Sequence, residues 1–176
     1  EFLLQQKSLF KRVSDQKKIR ESKNVVIVSY QPQYREAFRD LNVEWISKYF
    51  EMEEADYKAL DNAESYILNK GGKILVALYD NEPVGVCALI KMNHPEYDFE
   101  MAKMAVSPKV QGKNIGYLLG KAIIDSAREM GAKKIYLESN TILKPAINLY
   151  YKLGFEKVFG LETPYKRCNI QMELVI

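Results

Sequence analysis

Eleven residues, Val106-Ser-Pro-Lys-Val-Gln-Gly-Lys-Asn-Ile-Gly116, most constrain what this chain can become. They follow a β-rich run and lead straight into a helical pattern, Tyr117 to Met130. A strand that ends at Val106, a short loop and a helix that opens near Asn114 point a row of unpaired backbone N–H groups forward. The positive end of the helix dipole stands behind them. Gly112 and Gly116 let the backbone come close to a guest because no Cβ intervenes. The guest that suits such a cradle is a phosphate or pyrophosphate. The alternative is a plain turn before a surface helix.

The flanking pattern is α+β. Val25 to Tyr30 is a strand run, Tyr34 to Tyr49 a helix, and Glu53 to Asn69 a second helix ending at Gly71-Gly72. Lys73 to Tyr79 and Val84 to Lys91 make a hairpin around the turn Asp80-Asn-Glu-Pro83. Tyr97 to Val106 is a long alternating strand, after a turn that holds His94. The helix 115–130 carries Ile115, Leu118, Leu119, Ala122, Ile123 and Met130 near one face. Lys134 to Glu138 is a strand. Leu143 to Leu153 is a helix, with Pro145 inside its start and Gly154 after its end. Strands at about 155–159 and 168–175 close the chain. The unit 97–138 predicts a right-handed parallel crossover within a mixed sheet.

Composition removes several classes. The 176 residues fit one domain, expected over 25–176, after a basic helix and linker over 1–24. That segment holds seven Lys/Arg and three acids, a balance of +4, while the remainder holds 19 basic and 20 acidic residues, a balance of −1. The body therefore has no bulk charge with which to bind nucleic acid. No apolar run reaches the ~20 residues of a membrane span. Cys87 and Cys168 suit a reducing cytosol, and with His94 they lack the spacing of a zinc site or a histidine triad.

Gln111-Gly-Lys-Asn-Ile-Gly116 is neither G-x-G-x-x-G nor G-x-x-x-x-G-K-[ST]. It resembles the acyl-CoA loop Q/R-x-x-G-x-G/A of the GNAT N-acetyltransferases, with Asn114 in place of the middle glycine. Asn tolerates left-handed backbone angles and is a good N-cap. Ala146-Ile-Asn-Leu-Tyr-Tyr-Lys-Leu-Gly-Phe155 resembles the family's A-x-x-L-Y-x-K-x-G-F segment. The element order from Val25 to Ile176 is similar as well.

The resemblance implies a GNAT-like sheet, mostly antiparallel and flanked by helices, that splays between two parallel strands. It implies acetyl-CoA as co-substrate, no metal, and a small-molecule or protein amine as acceptor. The backbone of Met104, Ala105 and Val106 would hold the pantetheine. Gln111, Gly112, Lys113, Asn114, Ile115 and Gly116 would hold the pyrophosphate, with Asn140 and Asn148 as further contacts. A protonated amine needs a base before it attacks. Tyr150 matches the family's general acid toward the thiolate; otherwise it is a core residue beside Ala146, Leu149 and Leu153. Glu100 is the candidate base through a water, on the same strand face as Ala102 and Met104. Its alternative is an ion pair with Lys103 or Lys91, and Glu138 is the rival base.

Trp45, Tyr49, Phe50, Glu51, Glu53 and Glu54 would suit a cationic amine, or form an aromatic cluster beside a solvated helix start. Thr163-Pro-Tyr165 would add a wall. The helix 1–20, with Phe2, Leu3, Leu9, Phe10 and Val13, resembles the tail of a MarR-type DNA-binding domain fused ahead of a GNAT domain, as in some bacterial regulators; a dimerisation helix is the other reading. An acyl-CoA sensor attached to such a regulator is the alternative function.

Overall fold

A computed structural model describes residues 24–176; the expected helix 1–20 lies outside the described residues. Seven strands form one sheet in the order β1-β2-β3-β4-β5-β7-β6. They are β1 (Val25–Ser29), β2 (Lys73–Tyr79), β3 (Glu82–Lys91), β4 (Phe99–Val106), β5 (Lys134–Ser139), β6 (Glu156–Val158) and β7 (Ile170–Val175). Every neighbouring pair is antiparallel except β4 and β5, which run parallel. The helices are α1 (Arg35–Tyr49), α2 (Glu54–Leu60), α3 (Ile115–Glu129) and α4 (Lys144–Leu153). The α+β class read from the sequence is the class observed.

Two cores sandwich the sheet. On one face Phe38 and Ile46 of α1 and Leu60 of α2 pack on Val76, Val86 and Ala105. On the other, Leu119 and Ile123 of α3 pack on Leu75, Leu89, Ile135 and Met172, with Ile147, Tyr150 and Leu153 of α4 beside them. Phe38, Ile46, Leu119 and Ile123 have no exposed surface. Burying such a side chain contributes roughly 1.5–3 kcal/mol each.

Local chemistry moved some boundaries. The β2–β3 turn has two residues rather than four. Asp80 (φ 49°) and Asn81 (φ 66°) both take left-handed angles, so Glu82 and Pro83 already belong to the strand. The second helix does not run on to Asn69. It stops at Leu60, and a six-residue π-helical turn follows at Ala63–Leu68. Arg39 of α1 takes the Asp61 carboxylate at 2.8 Å, and the Asn62 amide bends back to the Lys58 carbonyl at 3.1 Å. Those bonds reward a break in place of a continuous helix. Met130, expected on the buried face of α3, is 44% exposed, because the helix ends one residue before it.

The consequential departure is in β4. Lys103 has φ 53°, and the pairing with β3 shifts between Val86↔Ala105 and Ala88↔Ala102. This is a β-bulge, with one extra residue on β4. It reverses the alternation. Phe99 and Met101 face the α3 core, and so do Met104 and Val106. Ala105 faces the α1 core, and Lys103 reaches Asp56 of α2 on that side. Glu100 and Met104 therefore lie on opposite faces, contrary to the shared face that unbroken alternation predicted.

Candidate active site

β4 and β5 begin as a parallel pair and then part. They match only at Phe99↔Ile135 and Glu100↔Tyr136, although β5 continues beside β7 as far as Ser139. From Met101 to Val106, β4 has β3 on one edge and no described strand on the other. A cleft of about 960 Å³ opens there, within the range of small-ligand sites. Its walls include Met101 to Val106, the loop 110–116, Glu100, Glu138 and Tyr150.

One end of the cleft is backbone. A 3₁₀ turn at Pro108–Val110, capped by the Ser107 hydroxyl, carries the chain to Gln111. Gly112 follows at φ 82° and Asn114 at φ 63°, ψ 19°. Asn114 thus supplies the left-handed residue that the turn requires. It makes no side-chain cap bond, and the first turn of α3 holds no acid. The first N–H groups of α3 remain without side-chain partners, as an anion site needs. A Cβ on Gly116 would stand 3.2 Å from Leu149 Cδ2, so glycine allows α3 to approach α4. Lys113 lies over the Tyr79 ring at 4.9 Å.

Side chains build the middle. Glu100 is partly buried, and its carboxylate accepts no hydrogen bond from any described residue. Burial, and then the nearby Glu138 carboxylate, push its pKa up to about 7, against the pull of Lys103. Glu138 differs. Burial raises its pKa too, but it accepts hydrogen bonds from Tyr136 (3.2 Å) and Thr163. Tyr150 sits on α4 with its ring edge-on to Phe155, 6.3 Å between centroids. Burial and Cys87 raise its pKa, so the phenol keeps its proton at neutral pH, and Ser139 is its polar neighbour.

Beyond Glu100 lies an ion network. Asp56 has no exposed surface. Arg167 grips it with two nitrogens at 2.6 Å, and Lys103 Nζ lies 2.7 Å away. Burial would raise the Asp56 pKa, but Arg167 and Lys103 outweigh it and hold the group at about 2. Lys103 also donates to the Tyr165 hydroxyl at 2.9 Å. Glu53 accepts from Arg167 (3.3 Å) and from the Lys166 backbone (2.9 Å). The buried Asn42 amide donates to the Lys103 carbonyl at 3.2 Å. These bonds tie the bulge, the start of α2 and the segment before β7 into one block.

The cleft brings together Glu100, Met104 to Val106, Gln111 to Gly116, Glu138, Asn140 and Tyr150. Asn140 spends its side chain locally, donating to the Arg167 carbonyl (2.7 Å) and accepting from the Ile142 amide (3.0 Å). Asn148 is exposed on α4 and does not line the cleft. Trp45, Tyr49, Phe50 and Tyr165 line it, but Glu51, Glu53 and Glu54 do not. His94 is a turn residue, its ring 5.1 Å from Tyr97. Sequence reasoning missed Asp56, Arg167 and the bulge. A local signal existed: after Lys103 the alternation gives way to the unbroken apolar run Met104-Ala105-Val106.

Known proteins share this architecture. The model of the acetyltransferase (GNAT) family matches residues 34–155. The chain belongs to this family, and it is an acetyltransferase. It is 36% identical over 116 residues to the uncharacterized N-acetyltransferase YjgM of Escherichia coli, covering 64% of this chain and 70% of that one. It spans about half the length of the rat and Xenopus N-acetyltransferases it also matches. Among solved structures, a GNAT acetyltransferase from Staphylococcus aureus superposes with a TM-score of 0.76 at 22% identity, over 85% of this chain and 97% of that one. The yncA acetyltransferase of Salmonella typhimurium, solved with acetyl-CoA, gives 0.70 at 18% identity, over 86% and 94%.

Proposed function

We propose that this acetyltransferase moves an acetyl group from acetyl-CoA to a primary amine by direct attack, with Glu100 as base and Tyr150 as acid. The observation that carries the reading is the continuity of the cleft. It runs from the uncapped start of α3, along the unpaired backbone of β4, to a carboxylate with no protein partner. The first N–H groups of α3 suit the pyrophosphate. The bare β4 edge suits the pantetheine, which can pair with it as an added strand.

The proton inventory supports the division of labour. A pKa near 7 keeps part of Glu100 ionised at neutral pH, and in that form it takes a proton from the ammonium, directly or through one water. The amine nitrogen then bonds to the thioester carbon, and the C–S bond breaks. Tyr150 supplies a proton to the departing thiolate, and the excess proton on the new amide nitrogen leaves to solvent. Glu138 is already held by Tyr136 and Thr163, whose hydrogen bonds favour its ionised form against burial, and it adds a second carboxylate near Glu100 toward which the ammonium is drawn.

Calorimetric titration with acetyl-CoA tests the first half of this reading. Micromolar binding is expected, lost in Gly116→Glu, which presses on Leu149 and Val106 and brings a negative charge to the wall of the cleft. No binding by the unaltered chain would refute the assignment of the cleft.

A further inference from the structure

The far end of the cleft has a composition that narrows the acceptor. We infer that the acceptor carries a single ammonium on an aromatic or bulky apolar body, selected by Trp45 and Phe50; this rests on the N-acetyl transfer reading above.

Acids beside aromatics at the end of α1 suggested a site for cations. The fold separates the two. Both Glu53 oxygens are spent on Arg167 and Lys166. Glu54 is exposed and faces Lys58 at 3.2 Å, and Glu51 is exposed outside the cleft. The described carboxylates that line the cleft are Glu100 and Glu138 alone. They can receive one ammonium between them. Lys103 and Arg167 line the cleft while the carboxylates that pair with them, Asp56 and Glu53, do not, so a second ammonium on the substrate finds no further carboxylate there.

The aromatic side chains, by contrast, do face the cleft. Trp45 uses its N–H on Asn42 Oδ1 at 3.3 Å, which leaves its ring face to meet a ligand. Phe50 is partly exposed and has no polar group to satisfy. Both lie at the C-terminal end of α1 and line the cleft. The apolar surface that these two rings turn to the cleft, with the Arg167 guanidinium 6.0 Å from the Phe50 ring centroid, gains most from an apolar substrate body.

The test compares kcat/KM for 2-phenylethylamine, ethylamine and spermidine, with acetyl-CoA saturating. Phenylethylamine should exceed both others by about tenfold or more, as one well-filled apolar pocket allows. Trp45→Ala and Phe50→Ala should each cut that value about tenfold through KM. Acetyl-CoA affinity should stay as it was, which a general loss of structure would not permit. Equal or better use of spermidine or ethylamine would overturn the inference and leave the transfer reading intact. Acetyl-CoA binding without acetylation of any amine would overturn both.

Discussion

At the α3 end of the cleft the recognition groups are backbone N–H groups on one continuous loop, whereas at the α1 end they are side chains drawn from α1, α2, β4 and the segment before β7. The first end needs only correct backbone angles at Gly112 and Asn114 and a missing Cβ at Gly116. The second needs a buried aspartate to hold two cations in place. Backbone sites change little when surrounding side chains change. Charge networks fail as units, because each member left behind is a buried, unpaired ion.

That contrast is most exposed by Asp56→Ala. It leaves Lys103 and Arg167 without their shared partner, and a loss of about 3–5 kcal/mol is expected. For a chain of this size the melting temperature should fall by roughly 10 °C. Because the folded pKa of Asp56 is depressed to about 2, its contribution is present above the unfolded value near ~4 and disappears as pH falls toward 2. The gap between Asp56→Ala and the parent should therefore close over that window in thermal melts. An unchanged melting temperature at pH 7 would mean that the network does not hold this end together.

Glu100→Gln should come next, lowering kcat by about 10²–10³ while acetyl-CoA affinity stays put. The parent's kcat/KM should rise with pH through about 7, and the variant's should not. Stability should move the other way. A carboxyl whose folded pKa is raised costs stability as pH climbs from its unfolded value to about 7. Glu100→Gln should thus melt higher than the parent at pH 8 and alike at pH 4. A variant with full kcat would return the base role to Glu138.

The two ends also differed in how far the sequence disclosed them. The α3 end is local: eleven consecutive residues carry strand end, turn and helix start, and the left-handed Asn114 fits a residue type known to tolerate that conformation. The hairpin, α3, α4 and the parallel pair were legible for the same reason. The α1 end depends on contacts between residues 47 and 111 positions apart, Asp56 with Lys103 and with Arg167. No local pattern encodes those. The bulge was marked only by the break in alternation after Lys103, and assuming unbroken alternation along β4 put Met104 on the face of Glu100 rather than opposite it. Glu51, Glu53 and Glu54 looked like one acidic group because they are adjacent in sequence. Folding sent them to a solvent-facing loop, a half-buried ion pair and an exposed helix turn.

Tyr150 stands where the two ends meet, so Tyr150→Phe should touch neither affinity. The ring keeps its edge-on contact with Phe155, and only the hydroxyl is lost. A fall in kcat of about 10²-fold is expected, at the low end of what one proton donor contributes. Unchanged acetyl-CoA binding by calorimetry should accompany it. Undiminished turnover would make Tyr150 a core residue and nothing more.

The smallest effect should come from Asn114, and it bears on whether the α3 end is purely a matter of backbone. Asn114 holds φ 63° without a cap bond from its side chain, so its value to the fold is the angle it accepts. Glycine takes that angle at no steric cost but loses more freedom on folding, and the two effects oppose each other. Asn114→Gly should therefore shift acetyl-CoA affinity by no more than about threefold. Asn114→Val should weaken it about tenfold, since a β-branched residue resists the left-handed region by roughly 1–2 kcal/mol. If valine bound acetyl-CoA as well as asparagine, the loop would not depend on its angle. If glycine bound it tenfold better, the Asn114 side chain would itself obstruct the anion, and the α3 end would prove as dependent on side chains as the other.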